Sequence, residues 1–202
     1  MKRSTFLKAA LLSSTLALAA CKDAAEKTGP ANATPGAAAP AQAVSVEAIA
    51  AQAKGFTVGA AMSARTVYVF FDPQCPHCAV LWESAKPLKS QAKFVWIPVG
   101  ILNGASGPQG AALLASADPA RAMDEHEASM RTKQGGIKTA GDVSAQMEWV
   151  VANTKLFDKF GFGSVPAVVG THAQSGAMVK QEGAMPTAAL AALLGLQPPA
   201  GN

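Results

Sequence analysis

A run of six residues, Thr66–Phe71, constrains the fold of this 202-residue chain more than any other segment. Its side chains (Thr-Val-Tyr-Val-Phe-Phe) are all β-branched or aromatic, and both faces of the run are apolar. This pattern is typical of a central strand that is covered on both sides. Asp72-Pro73-Gln74 then breaks the strand, and the sequence from Cys75 to about residue 90 predicts a helix with a kink at Pro87.

Strands and helices alternate through the rest of the chain. The hydrophobic spacing predicts further strands at 93–99, 167–170 and 177–181, and helices at 44–55, 109–116, 119–131, 143–160 and 187–194. This order predicts an α/β domain in which helices cover a small mixed sheet.

The sequence before the domain predicts an export signal and a tether. Residues 1–20 have a basic start, a short apolar stretch and small residues, which is typical of a secretory signal. Leu18-Ala19-Ala20-Cys21 resembles the lipobox of bacterial lipoproteins, which implies cleavage before Cys21 and lipid attached there. Residues 21–43 are rich in Ala and Pro and predict a flexible linker, so the folded domain is expected at 44–202.

The formal net charge of +4 does not indicate nucleic-acid binding. Three of the 17 basic residues (Lys2, Arg3 and Lys8) lie in the first twenty residues, which contain no acid. The rest of the chain is therefore close to balanced against its 13 acidic residues. A phosphate-binding surface needs clustered positive charge, and no such cluster remains.

The chemistry is concentrated in Cys75-Pro76-His77-Cys78, where the predicted strand gives way to the helix. A cysteine at a helix N-terminus has a lowered pKa, because unpaired backbone N–H groups and the helix dipole favour the thiolate. Pro76 suits the first helical turn, and His77 can favour the thiolate further. Cys75 is therefore the predicted nucleophile, and Cys78, one turn in, would resolve a mixed disulfide.

Three other interpretations of the cysteine pair are weaker. A zinc site needs further ligands, and only His126 and His172 remain, each of which is expected at the surface. Haem attachment needs His directly after the second cysteine, where Ala79 stands. A structural disulfide between residues three apart would close a very small loop and stabilise little. Neither a metal nor a cofactor is expected.

The segment Phe70-Phe71-Asp72-Pro73-Gln74-Cys75-Pro76-His77-Cys78 resembles the active-site region of the DsbC/DsbG thiol:disulfide interchange family, and the similarity covers about residues 60–195. The resemblance implies a thioredoxin-like fold with a helical insertion at about 105–160. It also implies a cis peptide bond at Val165-Pro166, facing the cysteines and open to a substrate peptide.

The chain departs from that family in three ways. Within the predicted domain only about twenty residues precede the first strand, so the family's N-terminal dimerisation domain is expected to be missing and a monomer is expected. Val165 replaces the family's Thr and, with Pro76 and His77, resembles the oxidase DsbA. Val69 stands where thioredoxin and DsbA hold a buried acid, which leaves Asp72 or water to accept a proton from Cys78.

Together these features predict a lipid-anchored, periplasmic thiol:disulfide oxidoreductase. Its expected partners are cysteine-containing exported proteins and a membrane redox protein that recycles it. Donation of disulfides is favoured; reduction or isomerisation, in the manner of DsbG, is the alternative. A non-catalytic binding lipoprotein with the same fold is a third hypothesis. The residue after Cys21 is Lys22 rather than Asp, which favours the outer membrane.

Overall fold

The structure, a computed structural model, describes residues 42–199 and is built on a five-stranded mixed sheet. The strands follow the order β1-β3-β2-β4-β5 and are β1 Phe56–Gly59, β2 Thr66–Phe71, β3 Lys93–Pro98, β4 Ala167–Thr171 and β5 Met178–Glu182. β2 and β3 are parallel, and the other neighbouring pairs are antiparallel. β2 therefore lies at the centre of the sheet, as its apolar sequence predicts.

Six helices accompany this sheet within residues 42–199. They are α1 Val46–Gln52, α2 Pro76–Ala85, α3 Ser106–Ala115, α4 Pro119–Arg131, α5 Ser144–Lys159 and α6 Thr187–Leu194. α3, α4 and α5 all lie between β3 and β4 in sequence and form the predicted helical insertion.

The two faces of β2 pack against different helices. Successive side chains of a strand point to opposite faces, so Phe70 and Phe71 enter separate halves of the core. The Phe71 ring makes an edge contact with Trp96 at 5.6 Å between centroids, and Trp96 contacts Trp82 of α2 at 4.9 Å. On the other face, the Phe70 ring lies 5.9 Å from that of Phe157 in α5. The strand that precedes the cysteine motif is thus fixed from both sides.

One strand was missed and one helix ends earlier than predicted, while the other predicted elements are present with bounds shifted by up to three residues. Strand β1 was not expected, because four residues are too few to show a clear alternation of polar and apolar side chains. The helix predicted to run from Cys75 to about residue 90 ends at Ala85 and continues as a single 3₁₀ turn, Lys86–Leu88. Pro87 lies in that turn, where its missing N–H cannot extend the α-helical hydrogen bonds.

The signal segment, Cys21 and nearly all of the predicted linker lie in residues 1–41, outside the described residues. Among the helices of residues 42–199, none combines the length and the apolar character needed to cross a bilayer.

Candidate active site

The cysteine motif lies at the start of α2, just after the short turn that follows β2. Cys75 is the N-cap of α2 and Pro76 is its first residue. The backbone N–H of Cys75 donates to the Asp72 carbonyl at 3.0 Å, which completes the turn between strand and helix. Cys75 is 6% exposed, whereas Pro76 and His77 beside it are exposed. The Cys75 side chain is therefore mostly covered, and Pro76 and His77 form the exposed part of the motif.

The pKa values of the two cysteines are shifted in opposite directions. The pKa of Cys75 is lowered to about 6, chiefly because it accepts a hydrogen bond from the Cys78 thiol, and burial opposes this shift. The N–H groups of Cys78 and His77 and the charge of His77 lower it further. The pKa of Cys78 is raised, first by its burial and then by the hydrogen bond and charge of Cys75. Cys78 is fully buried, so only Cys75 can meet another molecule as a thiolate.

Val165 and Pro166 lie directly against this pair. The peptide bond between them is cis, as the family resemblance implies. The Cys75 thiol lies 3.5 Å from the Val165 carbonyl oxygen, to which it can donate. The fold thus gathers the six predicted site residues of the domain: Cys75, Pro76, His77, Cys78, Val165 and Pro166.

Asp72 anchors the loop on which Cys75 depends. The side chain is fully buried. Its Oδ1 accepts the Gln74 N–H at 2.8 Å, and its Oδ2 accepts those of Ile101 and Leu102 at 2.8 and 3.0 Å. The carboxylate is therefore committed to joining the active-site turn to the loop after β3.

The prediction that His126 lies at the surface is wrong, because this side chain is fully buried. Its Nε2 lies 2.7 Å from the Pro73 carbonyl, and its Nδ1 accepts the Ile137 N–H at 3.0 Å. These partners require a neutral ring with its proton on Nε2. Helical spacing could have revealed the burial, since His126 follows the buried Ala122 by one turn of α4.

Replacement of His126 by alanine is expected to lower the free energy of unfolding by about 2 kcal/mol at pH 7, because two buried backbone groups lose their partner. Burial lowers the pKa of His126 in the folded state. The unfolded chain therefore binds the proton first, and this contribution is lost as the pH falls below about 6.5. Urea unfolding at pH 5, 6 and 7 measures both effects. Stability curves that run parallel for wild type and variant would contradict this role of His126.

A cavity of about 290 Å³ opens beside Cys75, between α2 and α4. Cys75 and Val80 line one side, and Glu127 and Arg131 line the other. The two helices are joined by Trp82, whose indole N–H donates to Asp124 at 2.8 Å. Neither this cavity nor the burial of Glu127 was expected from the sequence, although Glu127 shares the buried face of α4 with His126.

Within residues 42–199, no group of three or more His, Cys, Asp or Glu side chains is placed to hold a metal ion. The site is composed of two thiols, backbone groups and the carboxyls around them. This arrangement suits thiol chemistry at Cys75.

A Cys-X-X-Cys pair at a helix start, facing a cis-proline directly before the inner strand β4 of a mixed sheet, defines a redox-type domain with a thioredoxin fold. Residues 57–197 match the family described as a thioredoxin-like domain. The chain belongs to this thioredoxin-like family.

The most informative sequence relatives are two thiol:disulfide interchange proteins named DsbG. The chain is 36% identical over 140 residues to DsbG of Pseudomonas aeruginosa, which covers 68% of this chain and 54% of that protein. It is 37% identical over 108 residues to DsbG of Escherichia coli, with coverage of 50% and 42%. The chain therefore spans about half the length of these curated relatives. The predicted resemblance to the DsbG family is confirmed.

Solved structures share the fold at low sequence identity. The catalytic domain of Proteus mirabilis ScsC matches with a TM-score of 0.55 and 18% identity, over 74% of this chain and 96% of that one. A periplasmic thioredoxin-like protein from Salmonella enterica serovar Typhimurium matches with a TM-score of 0.54 and 19% identity, over 70% and 88%. These matches confirm the predicted thioredoxin-like fold with its helical insertion.

Proposed function

We propose that this domain is a periplasmic thiol:disulfide oxidoreductase that exchanges disulfides with cysteine-containing exported proteins. A client disulfide or thiol reacts at Cys75, and Cys78 resolves the mixed disulfide. The observation that carries the proposal is the opposite acidity of the two thiols. Cys75 has a pKa of about 6, whereas that of the buried Cys78 is raised.

The surroundings of Cys75 support an extended client peptide. A peptide that lies along Val165 and Pro166 would pair with the Val165 backbone as an added strand, since the Pro166 carbonyl already accepts the Gly183 N–H. Val80, Ile101 and Leu102 are between 38% and 51% exposed. These apolar side chains suit the unfolded clients that a disulfide exchanger meets.

The favoured direction is oxidation of the client. A stable Cys75 thiolate favours the reduced form of the domain and so makes its disulfide oxidising. Pro76 and His77, which separate the cysteines, and Val165 before the cis-proline support the same direction. The alternative is reduction or isomerisation of non-native disulfides or oxidised cysteines, and the identity to two DsbG proteins favours it.

The Cys75 thiolate is expected to persist well below pH 7. With a pKa of about 6, roughly nine-tenths of Cys75 is ionised at pH 7. Thiolate absorbance at 240 nm, followed from pH 4 to pH 10 in the reduced protein, measures this value, and Cys75→Ser supplies the baseline. Titration near the ordinary value of about 8.5 would overturn the oxidising assignment.

Two stoichiometric reactions separate the two directions. Oxidised domain mixed with a reduced peptide that holds two cysteines should leave most of the peptide oxidised. Reduced domain mixed with a protein whose disulfides are scrambled should restore little native pairing. The opposite pair of results would favour the isomerase alternative. If both reactions fail but Cys75→Ser still captures a partner, the domain is a binding module.

We propose further that lipid on Cys21 holds the domain at a membrane, with the outer membrane favoured, and that a membrane redox protein recycles the cysteine pair. The lipobox-like Leu18-Ala19-Ala20-Cys21 and the linker after it support this placement. A monomer of residues 44–202 stays a prediction.

A further inference from the structure

Two buried carboxyl side chains, Asp72 and Glu127, lie near the cysteine motif, and they differ in their hydrogen bonds to the protein. Asp72 accepts three backbone N–H groups, from Gln74, Ile101 and Leu102. Both of its oxygens are therefore occupied, and Asp72 is not among the residues that line the cavity beside Cys75. A client group that enters this cavity therefore does not meet Asp72.

Glu127 is the carboxyl with a buried oxygen that lacks a hydrogen-bond partner among the described residues. Its side chain is 2% exposed, and the oxygen is Oε1. Buried polar atoms without a partner are rare in proteins and cost about 1–3 kcal/mol each. Glu127 and Cys75 line the same cavity, so a client group that enters it toward the sulfur passes between these two residues.

Several charged groups surround Glu127. Arg131 lies on the same helix, Glu83 and Lys86 come from α2 and the turn after it, and Cys75 lies across the cavity. Burial is the largest influence and raises the pKa of Glu127 to about 7; Glu83 and Cys75 raise it, while Arg131 and Lys86 lower it. Both protonation states of this carboxyl are therefore populated at neutral pH.

We propose that Glu127 is the proton acceptor and donor for the client sulfur at Cys75, an inference that rests on the proposed function. In the oxidising direction, the client thiol gives its proton to the Glu127 carboxylate. The client sulfur then bonds to Cys75 Sγ as the Cys75–Cys78 bond breaks, and that electron pair passes to Cys78 Sγ. In the reducing direction, the Cys75 thiolate attacks the client disulfide, and the departing client thiolate takes the proton from Glu127.

Helix α4 of the insertion thus supplies a reacting carboxyl group as well as packing contacts. In this chain the sheet position that Val69 occupies is apolar and 1% exposed. The acidic side chain near the cysteines is instead Glu127 of α4, which lines the cavity beside Cys75. It acts on the client thiol, whose ordinary pKa of about 8.5 leaves it mostly protonated at neutral pH.

The test is the pH dependence of the oxidising half-reaction, measured by stopped flow between the oxidised protein and a peptide with one cysteine. Glu127→Gln should slow this step at least about tenfold at pH 7, since a positioned acid or base contributes about 10²–10⁴-fold. The deficit should shrink as the pH passes about 9, where the peptide ionises without help. Glu125→Gln, an exposed carboxyl paired with Arg121 on the same helix, should match wild type.

A second measurement needs no variant. The side-chain carbonyl of Glu127, followed by ¹³C NMR in wild type, should titrate near pH 7, and the exchange rate should inflect at the same pH. If wild type exchanges disulfides but the rate profile of Glu127→Gln is unchanged, or the two inflections differ, the role of Glu127 is wrong and the proposed function stands. If wild type does not exchange disulfides at all, the proposed function itself fails.

Discussion

Cys75→Ser will abolish disulfide exchange, whereas Cys78→Ser will stop the reaction at the mixed disulfide between Cys75 and the client. Serine cannot form a nucleophilic anion at neutral pH, so loss of the Cys75 sulfur should reduce the exchange rate on the order of 10⁴-fold. Loss of Cys78 leaves the first step intact, because Cys75 is the thiol that reaches the cavity and Cys78 is fully buried. The mixed disulfide with the client then has no neighbouring thiol within the described domain to resolve it.

Non-reducing electrophoresis and intact mass measure this contrast. Cys78→Ser, mixed with a peptide disulfide, should accumulate an adduct with the added mass of one peptide half, which dithiothreitol removes. Cys75→Ser should form no adduct under the same conditions, and wild type should show one only briefly. An adduct on Cys75→Ser, or equal adducts on both variants, would contradict the assignment of Cys75 as the attacked and attacking sulfur.

The central features of the site could be predicted because they depend on neighbours in sequence. A strand apolar on both faces, a break at Asp72-Pro73-Gln74 and a helix start at Cys75 are local patterns, and each has a direct physical cause. The same local pattern placed Cys75 at the N-cap, where its thiolate is favoured. The cis bond at Val165-Pro166 came from the family resemblance and not from local pattern.

The remaining parts of the site depend on contacts between segments that are distant in sequence. His126 reaches Pro73 across 53 residues, and Asp72 reaches Ile101 and Leu102 across about 30. A lone histidine or glutamate in a polar helix is expected at the surface from its residue type alone. The spacing from Ala122 and Met123 to His126 and Glu127 was the available signal, since all four lie on the buried face of α4.

Asp72→Ala is expected to lower the free energy of unfolding by about 3 kcal/mol, a larger loss than at any other polar residue treated above. The substitution removes the acceptor of three part-buried backbone N–H groups, and each buried group left unpaired costs about 1–3 kcal/mol before relaxation. Asp158→Ala is a matched control, because this exposed carboxyl makes no side-chain hydrogen bond among the described residues, and such changes usually stay within about 0.5 kcal/mol.

The same substitution should also separate the structural role of Asp72 from a chemical one. Asp72 holds the turn that presents Cys75, so its loss should slow exchange at every pH by a similar factor, whereas a proton-transfer group would change the shape of the pH profile. Urea unfolding of Asp72→Ala and Asp158→Ala gives the stability difference, and stopped-flow exchange from pH 6 to pH 9 gives the profile. A stability equal to that of Asp158→Ala would show that the three hydrogen bonds do not anchor the turn. A profile that loses its inflection near pH 7 would move the proton-transfer role from Glu127 to Asp72.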